Sequence, residues 1–254
     1  MEIVFSGPDD VRAVLADPRF VPPPPGAAGP VGTMAWLRSA VVRFSHGVEH
    51  ARRRALVVAE LATLDPADLR QAAAKLTAPA TAEEAARTVP VAVLASALGV
   101  PADRIDAVVT AVAQIAAVYL SPGDPARERV ADTAVASLLA DLEVLRPEST
   151  GRGVGVARIS ILVQAYVGTG VLIREGARCG SVAEALREAP PVTTTRRLAT
   201  VDVTVGDVAV PAGATVTVDL AAAGLPFGGE PRVCPGRDHA LAIAVGAVHG
   251  EESG

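Results

Sequence analysis

The chain has 254 residues, 50% of them apolar, with a formal net charge of -5. That length and apolar content can fill one substantial core and argue against disorder over most of the chain, while the acidic balance, with no dense basic patch, argues against a nucleic-acid or anionic-membrane partner. The only cysteines are Cys179 and Cys234, too few for a disulfide framework, so a reducing cytoplasm is the natural compartment.

In chain order, Pro22-Pro-Pro-Pro-Gly-Ala-Ala-Gly-Pro30 reads as a stiff extended loop bordering a pocket or its entrance. Hydrophobic periodicity then predicts helices near 34–62, 66–79, 81–98, 101–120, 124–145, 155–175 and 181–188. Asp65-Pro66 and Val100-Pro101 are good helix starts, since proline is tolerated in the first turn. Short strands are expected between about 197 and 220, followed by a final helix from Arg237 to Val248. No repeat and no internal boundary emerges, so residues 1–254 are expected to form a single domain. The longest uncharged apolar runs, Ile159 to Ile173 and Ala107 to Leu120, fall short of the ~20 residues a bilayer requires, so no membrane anchor is expected. Met1-Glu-Ile-Val-Phe lacks the basic start of a secretory signal.

The chemistry concentrates in Phe227-Gly-Gly-Glu-Pro-Arg-Val-Cys234-Pro-Gly-Arg-Asp-His-Ala. Here a cysteine stands in a Gly/Pro-rich turn directly before an apolar helix. Backbone amides of the turn and the positive end of the helix dipole both favour a thiolate, the form that ligates iron. Taken alone, such a cysteine reads more readily as a small buried apolar residue.

This stretch resembles the haem-binding loop of the cytochrome P-450 superfamily, with Phe227, Gly228, Arg232, Cys234 and Gly236 in register. Other segments extend the resemblance in the right order. Val4 to Pro22 looks like the strand and helix that open bacterial members. Phe44-Ser-His-Gly-Val-Glu-His50-Ala-Arg-Arg-Arg54 looks like the helix whose His and Arg, one turn apart, converge on a haem propionate. Glu184 and Arg187 match a Glu-x-x-Arg helix whose charge pair holds the core on the thiolate side, Arg197 matches a second propionate contact, and Val208 to Val216 matches the hairpin that follows. The resemblance implies a mainly α fold with small β-sheets, a truncated cytochrome P-450-like fold. It also implies haem b (iron protoporphyrin IX) bound through His50, Arg54, Arg197, Phe227, Arg232, Cys234 and Gly236, with Cys234 as the metal ligand.

The departures are equally specific. Glu230 replaces a glycine of the loop, and its Cβ and charge are expected to distort the loop or weaken haem binding. Only Gly224-Leu-Pro226 remains of the long segment that precedes the loop in the family, which also cuts back the face where electron donors dock. On the helix expected over the oxygen-binding side, Val167 or Gly168 occupies the position of the proton-relaying acid. Thr169 is left as the alcohol, with Tyr166 as a second polar candidate; alternatively Thr169 caps a helix distortion beside Gly168 and Gly170.

Three readings follow. The leading one is a haem-thiolate oxidoreductase, a cytochrome P-450-type monooxygenase acting on a small organic, specialised-metabolite substrate, with a ferredoxin/reductase electron donor. The second is a haem-thiolate enzyme that uses peroxide or performs a non-redox rearrangement or dehydration. The third is a degenerate, non-catalytic homologue serving as partner of another biosynthetic enzyme, which retention of Cys234, Arg232, His50, Arg54 and Arg197 disfavours.

Overall fold

A computed structural model describes residues 3–120, 122–145 and 151–250. In chain order the elements are β1 (Ile3–Phe5), α1 (Pro8–Ala16), β2 (Phe20–Val21), α2 (Met34–Ala40), α3 (Gly47–Leu61), α4 (Pro66–Thr77), α5 (Ala82–Ala97), α6 (Ile105–Ala116), α7 (Pro125–Leu142), α8 (Arg152–Cys179) and α9 (Val182–Glu188). Strands β3 (Thr194–Ala199), β4 (Val203–Val205), β5 (Val208–Val210) and β6 (Thr215–Asp219) follow, then α10 (Arg237–His249). The mainly α architecture with small sheets is the one expected.

Local chemistry explains most helix boundaries. Asp65 and Asp124 each accept a bond from a backbone N–H of the first turn, with proline next to them at the first helical position. Thr81 and Glu84 form a reciprocal capping box, and Ser181 accepts from the Glu184 N–H to start α9. Gly180, at φ 86°, ends α8 in the left-handed conformation that glycine adopts without strain, so only Gly180 and Ser181 separate α8 from α9.

Two expectations need correction. The helix expected over 34–62 is broken: Val41 and Ser45 are extended, and Val42–Phe44 form a single 3-10 turn between α2 and α3. Arg53 reaches back from α3 to donate to the carbonyls of Ser39 (2.7 Å) and Val41 (3.3 Å), which a continuous helix would have used internally. The apolar helix expected over 155–175 spans 28 residues, so by length and composition it could cross a membrane. However, 67% of its most apolar window is buried inside the fold, where it serves as the central core helix.

The four-stranded sheet has the order β1-β6-β3-β2, with β1 parallel to β6 and the other pairs antiparallel; β4 and β5 form a separate hairpin. The sheet covers one apolar cluster built around Phe5, Val14, Phe20 and Val216, while the helices surround a larger one through Leu37, Leu94, Ile115, Leu138, Leu162 and Ile173. Two glycines set close helix crossings. A Cβ on Gly170 would lie 2.5 Å from the Ala86 carbonyl oxygen of α5, and one on Gly246 would collide with the Arg70 carbonyl of α4.

Inside the helical layer, Arg158 of α8 is fully buried. Its Nε bonds Glu60 Oε2 of α3 at 2.6 Å and its Nη1 donates to the Leu142 carbonyl of α7 at 2.6 Å. Removing one partner of a buried ion pair leaves an uncompensated charge and costs about 3–5 kcal/mol. Arg158→Met is therefore expected to destabilise the chain on that scale, and changing Glu60 to Gln at the same time should recover part of the loss. Urea unfolding of the single and double variants measures both.

Candidate functional site

A cavity of about 740 Å³ lies where α3, α8 and α10 meet the sheet. One face of α8 lines it through Ile161, Ala165, Gly168 and Leu172, a spacing that keeps successive residues on one side of a helix. Pro22 to Pro25 also line it, as expected of that loop. A smaller recess of about 220 Å³ beside Trp36 and Leu56 shares Val42, Val57 and Ser160 with this cavity and carries no cysteine.

The cysteine loop is held by short-range bonds. The Cys234 N–H donates to the Phe227 carbonyl (2.9 Å) and the Arg232 N–H to the Gly229 carbonyl (3.0 Å), while Gly228 turns at φ 74°. The Phe227 ring lies 5.5 Å from the Arg237 guanidinium of α10, a cation-π contact that ties the loop to the helix it precedes. His239 Nε2 lies 3.0 Å from the Leu61 carbonyl and 3.2 Å from that of Leu64, which anchors the start of α10 to the end of α3; its Nδ1 is buried without a partner. The loop thus presents Cys234 to the cavity, where its side chain remains exposed.

Around the thiol the wall is cationic. Arg54, one turn beyond His50 on α3, donates to the Val233 carbonyl at 2.9 Å, and Arg232 donates to the Ser45 carbonyl at 2.6 Å. Arg197, 8% exposed on β3, donates to Thr195 Oγ1 (2.9 Å) and the Arg196 carbonyl (2.8 Å). None of the three has a carboxylate partner among the described residues, and no Asp or Glu lines the cavity. Burial, reinforced by Arg232 and Arg43, pushes Arg197 down to about 10. Burial and Arg54 lower Arg232, and burial with Arg232 and Arg54 lowers His50 to about 4. These directions share one cause, partly desolvated positive charge with no anion nearby.

No family model and no curated protein matches the sequence. Solved structures do match. P450BioI, determined in complex with an acyl carrier protein bearing hexadec-9Z-enoic acid, aligns at TM-score 0.82 over 96% of this chain and 83% of its own, at 16% identity. Mycobacterium smegmatis CYP164A2 aligns at TM-score 0.69 over 96% and 82%, at 22% identity, and Sorangium cellulosum So Ce56 cytochrome P450 260B1 at 0.74 over 97% and 80%, at 18% identity. The fold is that of the cytochromes P450.

Within this P450 fold, eight of the nine residues singled out from sequence line the one cavity: His50, Arg54, Thr169, Arg197, Phe227, Arg232, Cys234 and Gly236. Tyr166 does not, because it packs against the helical core instead. Thr169 is 2% exposed and sits in an uninterrupted α8, so it caps no helix break; Gly168 and Gly170 serve an open cavity wall and the close α5 crossing respectively. The Glu184–Arg187 pair forms at 2.8 Å, but its side chains are 38% and 68% exposed, so it is a surface pair of small energetic weight rather than a buried core device. Cys234 is accessible from the open cavity, yet the surrounding wall displaces enough water from its thiol that desolvation outweighs the favourable Gly236 N–H and the Arg54 charge and shifts it upward.

Sequence reasoning missed Arg43, Ser160 and Gln164, all on the cavity wall. Each is a polar residue interrupting an apolar run, which is the only signal the sequence carries for them.

Glu230 is exposed and absent from the cavity wall, and no residue other than glycine has a positive φ among the described residues, so it imposes no backbone strain on the loop. Glu230→Gly is expected to leave haem uptake unchanged, as read from the haem-to-protein absorbance ratio after reconstitution. For His50, the folded value of about 4 lies below the ordinary 6.5. The unfolded chain binds the extra proton between these values, so stability falls as the pH drops through that window. His50→Ala should flatten this acid limb in unfolding curves of the metal-free chain.

Proposed function

We propose that the chain is a haem-thiolate oxidoreductase of cytochrome P450 type that oxygenates a small organic substrate, with Cys234 as the iron ligand. The observation that carries this reading is the cavity itself: one exposed thiol on a wall whose Arg54, Arg197 and Arg232 have no carboxylate partner. That donor set fits iron protoporphyrin IX, which brings two carboxylates, an apolar ring and four of its own nitrogen ligands. No group of three or more His, Cys, Asp or Glu is arranged to hold a metal among the described residues, so iron bound at Cys234 would have to arrive with most of its ligands. When bound, the haem supplies the redox chemistry that activates oxygen, with a thiolate ligand pushing electron density towards its iron.

The chain's own residues then have distinct roles. Arg54, Arg197 and Arg232, with neutral His50 as a hydrogen-bonding partner, hold the propionates through charge-assisted bonds. Gly236 N–H and Arg54 favour the sulfur anion once a cation offsets its desolvation. Phe227 shields the loop, and a Cβ added at Gly236 would lie 3.6 Å from the Leu61 side chain, in ordinary van der Waals contact. On the α8 wall Thr169 offers a hydroxyl for holding water or passing a proton. Electrons would come from a ferredoxin or reductase partner.

One observation favours a second reading, that of a peroxide-using enzyme. No carboxylate lines the cavity among the described residues, so the acid that would relay protons to oxygen is missing. Peroxide brings its two electrons and its protons with it and requires neither that acid nor an electron donor.

The deciding experiment is the spectrum of the reduced, carbon-monoxide-bound protein. The wild type is expected to show a strongly red-shifted Soret band that Cys234→Ala loses; a wild type that takes up no haem overturns both enzyme readings and leaves the non-catalytic partner. Arg54→Ala and Arg197→Ala should each weaken haem uptake by about 10- to 100-fold, the value of one charge-assisted bond of roughly 1.5–3 kcal/mol. Turnover with peroxide alone, compared with turnover through a reductase system, separates the two reactions.

A further inference from the structure

We propose that the smaller recess beside Trp36 is a ligand site in its own right, built for a phosphate monoester carried on a flat apolar body. None of Arg54, Arg197 and Arg232 lines it, so the site goes beyond the oxidoreductase reading and does not rest on it.

Charge selects the head group. Arg52, Arg53 and Arg152 line the recess, and no Asp or Glu does among the described residues. One carboxylate serves the first two, since Glu49 lies 3.0 Å from Arg52 and 3.3 Å from Arg53. The Arg152 guanidinium makes no hydrogen bond or ion pair among the described residues. Three guanidinium groups against one carboxylate leave two positive charges, which match the dianion of a phosphate monoester above its second pKa, about 6. Arg53 is already fixed, because it donates to the carbonyls of Ser39 and Val41. Arg152 opens α8, a helix of 28 residues whose preceding Gly151 supplies no side-chain cap. The positive helix end and the uncapped N–H groups of the first turn therefore meet the same arginines. A tetrahedral head with three free oxygens can take donors from several directions, whereas a carboxylate brings two coplanar oxygens and a single charge.

Shape and polarity define the body. Gly153, Val156, Ala157 and Ser160 follow at helical spacing, so one stripe of α8 forms a wall about 10 Å long that runs inward from the arginines. Trp36 and Leu56 add apolar surface, and the indole offers a flat face to an aromatic ring. At the inner end Ser160 is only 2% exposed, and its hydroxyl makes no hydrogen bond of normal geometry among the described residues. A buried hydroxyl left over at the end of a recess is a polar group that a ligand can satisfy. The volume of about 220 Å³ suits one aromatic ring with its head group. The ligand class is a small aryl phosphate.

The test titrates the haem-reconstituted full chain with phenyl phosphate, inorganic phosphate and benzyl alcohol. Calorimetry gives the affinities, and the emission of Trp36, the only tryptophan, locates the ligand. Phenyl phosphate is expected to bind at least tenfold more tightly than the other two, to change Trp36 emission in a saturable way, and to weaken below about pH 6 as the monoester gains a proton. Arg52 and Arg152 are exposed, so their replacement should leave haem content and the unfolding midpoint unchanged. Arg152→Gln should weaken phenyl phosphate about tenfold, the loss of one charge-assisted bond, and Arg52→Gln severalfold. Equal affinity for inorganic phosphate or benzyl alcohol, an unchanged Trp36 emission, or binding indifferent to Arg152→Gln overturns the proposal. A chain that takes up no haem yet binds phenyl phosphate with the same Arg152 dependence overturns the haem reading alone, so the two failures are distinguishable.

Discussion

The Arg158–Glu60 pair is the constraint on which the rest of the molecule depends. It pins α8 to α3 inside the helical core, and the accompanying bond to the Leu142 carbonyl adds α7. Because both charges are removed from water, the geometry admits little slack: a shift of either helix would lengthen these bonds at a cost in poorly compensated, desolvated charge. The axial position of α8 fixed in this way determines which residues face the cavity. Gly170 completes the arrangement by letting α8 lie against the Ala86 carbonyl of α5, and this crossing keeps Thr169 and Gly168 on the cavity wall.

The second organising feature is electrostatic and opposite in character. At Arg158 burial is matched by an internal partner, but around Cys234 it is not. Arg197, Arg232 and His50 are all shifted towards their neutral forms by desolvation and by one another. Such a cluster opposes folding in the absence of an anion and favours binding when one is supplied. The raised Cys234 thiol belongs to the same balance, since a partly desolvated sulfur anion likewise needs a counter-charge. A dianionic ligand carrying a cationic metal would relieve both sides of this imbalance at once, which is why the chemistry of the wall is more informative than the cysteine alone.

Much of this was legible in the chain. Caps such as Thr81/Glu84 and Asp65-Pro66 mark helix starts because their bonds are local, and the cysteine loop is recognisable because its turn needs specific residues in register. The spacing of His50 and Arg54 placed both on one face of α3. The break between Ala40 and Gly47 was not legible, because it depends on Arg53 reaching carbonyls in a preceding segment. Nor were the exposure of Glu184 and Arg187 or the placement of Tyr166 outside the cavity, since a helix face acquires its environment only when its neighbours pack.

Sequence by itself therefore determined the helices with strong local signals, the cysteine loop and a set of basic residues suited to an anionic cofactor. Tertiary structure alone decided that residues from α3, β3, α8 and the loop share one cavity, and that no carboxylate lines it among the described residues. The physical reason is range: caps and turns are satisfied within a few residues, whereas desolvation and charge compensation depend on every group that packing brings near, however distant in the chain.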